Sequence, residues 1–131
     1  MLRRLSVFFA LLLLALPAGV RADKQLFTTA FTPAEFAARR AKVMAAIGDG
    51  VAVISGATET STYTKFRQGA QFFYLSGVEV PRAILVIDGR AKQSTLFLPA
   101  HDALERGEGP RLGSDDEAQR LTGVERVADR T

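Results

Sequence analysis

The apolar positions of this chain change their spacing along its length, and each spacing predicts an element. Residues 5–16 are apolar at every position except Ser6, and Pro17-Ala18-Gly19 breaks the block. Phe36, Val43 and Ile47 then recur at helical spacing with Met44 and several alanines beside them, while Arg39, Arg40 and Lys42 fall largely off that stripe. The helix start is written in the residues before it. Thr32 can cap, Pro33 suits the first helical position, and Glu35 stands three residues after the cap as a capping-box partner. Phe31 and Phe36 are spaced for a hydrophobic staple, and Gly48-Asp49-Gly50 ends the helix.

Shorter apolar runs follow. Val51-Ala52-Val53-Ile54 is continuous and predicts a buried strand, and the glycine- and threonine-rich residues 56–64 predict a loop. Val80-Pro81 predicts a turn into a second buried strand, Ala83-Ile84-Leu85-Val86-Ile87. Asp88-Gly89 is a hairpin signal, lengthened by Arg90-Ala91-Lys92-Gln93 before a third strand, Ser94-Thr95-Leu96-Phe97-Leu98, which Pro99 ends. Residues 100–113 are polar and glycine-rich. Ser114-Asp115-Asp116-Glu117 is a second capping box opening a short helix that Gly123 stops, and Val124-Glu125-Arg126-Val127 predicts a fourth, edge strand. The pattern as a whole predicts an α/β domain with a mixed sheet and flanking helices. It contains no internal repeat.

The first block is a targeting segment and not part of the fold. Met1-Leu2-Arg3-Arg4 gives a positive start, the apolar block follows, and Val20-Arg21-Ala22 supplies the small residues of a cleavage site, which predicts a secretory signal peptide over residues 1–22. A membrane span needs about 20 apolar residues, more than this run holds. Export to the periplasm or the extracellular space follows, with no membrane attachment after cleavage. Cleavage also changes the charge. Arg3, Arg4 and Arg21 are three of the 17 basic residues, so the mature residues 23–131 carry 14 Lys and Arg against 14 Asp and Glu. The basic character belongs to the leader and argues for no nucleic-acid partner. The 109 residues left when 22 are removed from 131 suffice for one domain. The absence of cysteine excludes disulfides, cysteine nucleophiles and zinc–thiolate sites.

Candidate chemistry is sparse. His101-Asp102 with Glu105 is the one cluster of catalytic residue types, but the chain has a single histidine and neither a His-Glu-x-x-His nor a Gly-x-Ser-x-Gly motif. Gly48 and Gly50 precede a strand instead of following one, so they are no dinucleotide fingerprint. Asp115, Asp116 and Glu117 sit in a first helical turn, where the helix dipole favours negative charge. No catalytic and no metal residue is assigned. The informative stretch is Phe66-Arg67-Gln68-Gly69-Ala70-Gln71-Phe72-Phe73-Tyr74-Leu75-Ser76-Gly77. Phe72 and Leu75, and with them Phe66, suit a core. Phe73 and Tyr74 cannot share that direction, because consecutive residues of a short element face different ways. Arg67 can clamp a carboxylate and Gln68 can bond backbone groups. On the residues alone the stretch is either core or the wall of an interface or pocket.

In combination these motifs resemble the amino-terminal domain of Xaa-Pro aminopeptidases (aminopeptidase P, of the creatinase/prolidase type). Phe36 to Arg40 followed by Ile47-Gly48-Asp49-Gly50-Val51-Ala52-Val53-Ile54, the Phe-Arg-Gln…Phe-Phe-Tyr-Leu-Ser-Gly stretch, Pro81, Leu96-Phe97-Leu98-Pro99 and Gly109-Pro110-Arg111-Leu112-Gly113 occur in the family's order. The resemblance runs from about Phe27 to the end. The chain departs from the pattern at His101, where the family has arginine, at Gln71, where it has an acid, and in lacking tryptophan. The resemblance implies a ribonuclease-H-like domain of two or three layers over residues 23–131, with an incomplete C-terminal end among the expectations. It implies peptide hydrolysis in a following "pita-bread" catalytic domain holding two manganese ions, with no cofactor in this chain. The expected partners are that catalytic domain, further copies of the chain in a homo-oligomer, and short peptides with proline second. Arg67, Phe73 and Tyr74 are the residues expected at the substrate mouth or interdomain contact. The alternative is a non-enzymatic binding module from a creatinase-like protein whose catalytic domain is degenerate or absent.

Overall fold

The computed structural model describes residues 26–58, 66–99 and 115–130. The predicted leader, the loop residues 59–65 and the stretch 100–114 with His101, Asp102 and Glu105 lie outside the described residues. In chain order the elements are α1 (Pro33–Ile47), β1 (Val51–Ser55), α2 (Ala70–Ser76), β2 (Ile84–Asp88), β3 (Gln93–Pro99), α3 (Asp115–Thr122) and β4 (Arg126–Arg130).

Helix α1 starts on the signals its sequence carries. Thr32 is extended, and its Oγ1 accepts the Glu35 N–H at 3.2 Å, satisfying one of the first-turn donors that have no helical partner. Phe31 and Phe36 meet edge to face with centroids 5.9 Å apart, the geometry of the predicted staple. Glu35 does not complete a capping box. Its Oε1 accepts from Arg39 Nη2 at 2.6 Å, one turn further on, where a full ionic partner competes better than a single backbone N–H.

The buried face of α1 corrects the sequence reading of Arg40. Phe36, Arg40 and Met44 form it, at the i, i+4, i+8 spacing of one helix side. Arg40 is 1% exposed. A charge can lie there because both terminal nitrogens are met: Nη1 gives hydrogen bonds to Leu75 O at 2.9 Å and Thr122 O at 3.1 Å, and Nη2 gives one to Gly123 O, while the buried Nε has no partner among the described residues. These carbonyls close α2 and α3, at helix ends where backbone acceptors lack partners and the dipole favours a cation. Burial lowers the Arg40 pKa from its ordinary value, and the charge of Glu125 acts against that shift.

The four strands lie in the order β1-β2-β3-β4. β1 and β3 pair antiparallel with β2, and β4 joins β3 in parallel. The register aligns Ile54, Leu85, Leu96 and Val127 on one face, and that face packs against Met44 of α1, Phe72 and Leu75 of α2, and Ala118 of α3. All three described helices therefore cover the same side, and the described residues form two layers. The opposite face carries Val53, Val86 and Thr95 in a row, exposed or half-buried.

Two strand expectations need correction. β1 is not buried: Val51 and Val53 are 59% and 65% exposed. A run apolar on both sides reads as central, but β1 stands at the sheet edge with β2 as its one described neighbour. The fourth strand is at the opposite edge as expected, but it begins at Arg126, because Val124 is drawn 5% exposed into the core. Pro99 closes β3 as its last residue. In the β2–β3 turn, Asp88 Oδ1 accepts the Ala91 N–H at 2.8 Å. A Cβ on Gly89 would lie 2.0 Å from Gly48 O, so only glycine lets this turn pass the end of α1.

Replacing Arg40 with Met keeps the volume and leaves two buried carbonyls and one part-buried carbonyl without this partner, which is expected to destabilise the fold by about 3 kcal/mol. Arg40→Lys is expected to recover part of that, since one ammonium cannot reproduce the planar fork. Urea denaturation of the three proteins, followed by circular dichroism, measures both.

Candidate functional site

The stretch before α2 is organised by one amide. Gln68 Oε1 accepts from the N–H groups of Ala57 and Gly69, and Gln68 Nε2 donates to Val80 O at 2.9 Å. The side chain thus ties the loop after β1 to the loop before β2, as its predicted backbone-bonding role requires. The helix that follows is short and ends at Gly77, whose φ of 68° is left-handed and whose N–H returns to Phe73 O at 2.8 Å. A Cβ at Gly77 would lie 2.5 Å from Phe36 Cζ. Both facts demand glycine and allow α2 to end against α1.

The aromatic residues separate as one helix turn requires. Phe72 and Leu75 are buried in the core together with Phe66. Phe73 is half-buried, Tyr74 is 54% exposed, and Arg67 is exposed. Arg67 makes no hydrogen bond or ion pair among the described residues. Of the three expected contact residues, Phe73 and Tyr74 stand side by side on α2, and Arg67 lies before its first turn.

Tyr74 belongs to a cluster that was not legible in the sequence. The Arg39 guanidinium lies 4.4 Å from the Tyr74 ring centroid, 4.5 Å from Phe31 and 5.2 Å from Phe36. Its Nη1 also donates to Tyr74 O at 3.0 Å. The guanidinium is committed to a carboxylate, a carbonyl and three rings, and its side chain is only 12% exposed. The Phe31–Phe36 spacing pointed to half of this cluster. The Arg39–Tyr74 pairing bridges 35 positions, and no local pattern signals it. What these side chains offer is a fixed apolar surface, with Phe31 and Tyr74 outermost. They offer contact area and no group set up for proton transfer or nucleophilic attack.

Nothing described here gathers into a metal centre: among the described residues no three His, Asp or Glu side chains come together. Asp115, Asp116 and Glu117 are exposed in the first turn of α3, and Glu117 lies 3.9 Å from Arg120. No described helix is long and apolar enough to cross a membrane. Replacing Arg39 with Met retains the stem and removes the charge. It is expected to destabilise the fold by about 1 kcal/mol and to raise the mobility of the Phe31 and Tyr74 rings. Urea titration and ring relaxation by NMR provide the two readouts.

The geometry has solved counterparts. A substituted variant of Escherichia coli aminopeptidase P in complex with substrate is 30% identical over 76% of this chain, with a TM-score of 0.64. The proline aminopeptidase P II of Yersinia pestis is likewise 30% identical over 76% of the chain, with a TM-score of 0.61. The E. coli enzyme with the inhibitor Pro-Leu superposes with the same TM-score at 28% identity. In each case the matched region is 24% of the solved chain, so this protein corresponds to about a quarter of those structures. No curated protein matches it. Residues 36–131 match the family described as aminopeptidase P, N-terminal domain, and the chain belongs to that family.

Proposed function

We propose that this chain is the non-catalytic amino-terminal domain of an exported, metal-dependent Xaa-Pro aminopeptidase. In the full-length parent it would serve oligomerisation and control access to an active site that removes the first residue from peptides with proline second. The observation that carries the reading is the family match over residues 36–131. The mixed sheet, with three antiparallel strands and a fourth joined in parallel, supports the ribonuclease-H-like layer that the family implies. The positive start and apolar block of residues 1–22 support export.

Two manganese ions are expected in the catalytic domain of the parent, where close metals polarise a scissile carbonyl and supply hydroxide. The described residues do not fit such a pair, since no three acidic or histidine side chains converge. No step of hydrolysis is therefore assigned to them. Their contribution is a surface. Arg67, Phe73 and Tyr74 are proposed to face the catalytic domain or the mouth of its active site, with Arg39 and Phe31 holding Tyr74 in place.

The purified chain with added manganese is expected to release no amino acid from an Xaa-Pro peptide, and measurable release would overturn the non-catalytic assignment. In the full-length parent, Phe73→Ala is expected to alter oligomer size or to change the turnover of Xaa-Pro peptides at least severalfold. Light scattering and a peptide-release assay test this, and a variant unchanged in both would remove Phe73 from the contact.

A further inference from the structure

The two edges of the sheet are built differently. β4 at one edge is Arg126-Val127-Ala128-Asp129-Arg130, a charged strand of the kind that resists pairing with another sheet. β1 at the other edge is Val51-Ala52-Val53-Ile54-Ser55, with no charge and no proline. Its Val51 and Val53 are the two most exposed of the large hydrophobic residues.

The hydrogen bonding shows which groups β1 leaves open. Gly89 donates to Gly50 O at 2.9 Å and Gly56 donates to Ala83 O at 2.8 Å. These two bonds fix the even-numbered residues of β1 as the ones whose backbone groups face β2, because the direction alternates along an antiparallel strand. The N–H and C=O groups of Val51, Val53 and Ser55 therefore point away from the sheet, at an edge with no described partner strand.

We propose that β1 is the edge through which two copies of this chain associate, as an antiparallel pair about a two-fold axis at Val53. The proposal rests on the oligomerisation role given above and assigns it a surface. Centring the pair on Val53 sets Val53 against its own copy, Val51 against Ser55, and Ala52 against Ile54. All outward backbone groups of the three odd-numbered residues then find partners. Like charges meet nowhere along the seam, since Asp49 falls opposite Ala57 of the copy. The same operation on β4, centred on Ala128, sets Arg126 against Arg130 twice, which is repulsive at that distance. Self-association is thus favoured at one edge and opposed at the other, and the seam joins two sheets into one of twice the width. A five-residue pair lies at the low end of interface sizes, so the dimer is expected to depend on concentration.

Sedimentation equilibrium of the purified chain over a concentration series tests this, with Val53→Lys and Arg126→Ser as variants. Val53→Lys brings two cations together on the axis at an exposed position and is expected to raise the dissociation constant about tenfold, while Arg126→Ser leaves it unchanged. A second measurement does not depend on that variant folding. The chain has no native cysteine, and facing residues of a hydrogen-bonded pair lie about 5.5 Å apart, within disulfide range. Oxidation should link Val53→Cys into a dimer and leave Ala128→Cys monomeric. A dimer insensitive to Val53→Lys and not linked through Val53→Cys would overturn the β1 seam and leave the oligomerisation role standing. A chain monomeric at every concentration would overturn the β1 seam, whereas the oligomerisation role is tested in the full-length parent. In the full-length parent, a monomer in which Val53→Cys is shielded from maleimide would mean that a segment of the same polypeptide covers β1, and the proposal would fail.

Discussion

The arrangement depends on where one guanidinium can find oxygen. Arg40 lies inside the helical layer and collects the carbonyls of Leu75, Thr122 and Gly123, which end two different helices. Helices α2 and α3 are short, and each on its own would leave its last acceptors unmet. By terminating both on one cation, the fold solves two capping problems with a single side chain and fixes three helices relative to each other. A chain without cysteine has no covalent way to do this. The arginine fork is suited to the task, because its donors diverge in a plane and its charge answers the negative ends of both helices.

Arg39 extends the same clamp to the surface. Arg39 and Arg40 bond the consecutive carbonyls of Tyr74 and Leu75, one from outside and one from inside. The end of α2 is therefore held from both sides of α1, and Gly77 lets it approach that closely. Tyr74 is thereby held through its carbonyl and its ring while remaining 54% exposed. Its ring rests on a guanidinium that Glu35 and two phenylalanines already immobilise. The aromatic surface is preformed, which lowers the entropy lost when a partner covers it.

What was legible in the sequence follows the range of each interaction. The start of α1 was readable because the Thr32 cap and the Phe31–Phe36 staple act within one turn. β2 and β3 were readable because both lie inside the sheet and carry apolar runs, with a turn signal between them. Arg40 was misread because charge usually marks solvent, and its acceptors lie 35 to 83 positions away. β1 was misread for the complementary reason. Its residues satisfy the requirements of a buried strand, but edge position is decided by which strands pair, and that is a property of the whole sheet. At the candidate site, the division of Phe72 and Leu75 from Phe73 and Tyr74 needed only helical geometry, whereas the part played by Arg39 needed the tertiary fold.

Both corrections bear on function, because each marks a place where local rules are overridden. A buried arginine in an apolar stripe is tolerated when it organises other elements, and here it organises the helix that carries the aromatic surface. An apolar strand at an edge is a liability that folds normally blunt with charge. β4 is blunted in that way by Arg126 and Arg130, and β1 is not. The contrast lies within one sheet of one chain, so neither composition nor overall charge accounts for it. An unprotected edge persists at low risk when something regularly covers it, and a sheet whose other edge repels its own copy restricts where a second copy can attach. The aromatic end of α2 and the open side of β1 are thus separate surfaces with different physics. One is rigid side-chain area suited to packing against another domain, and the other is free backbone suited to strand pairing.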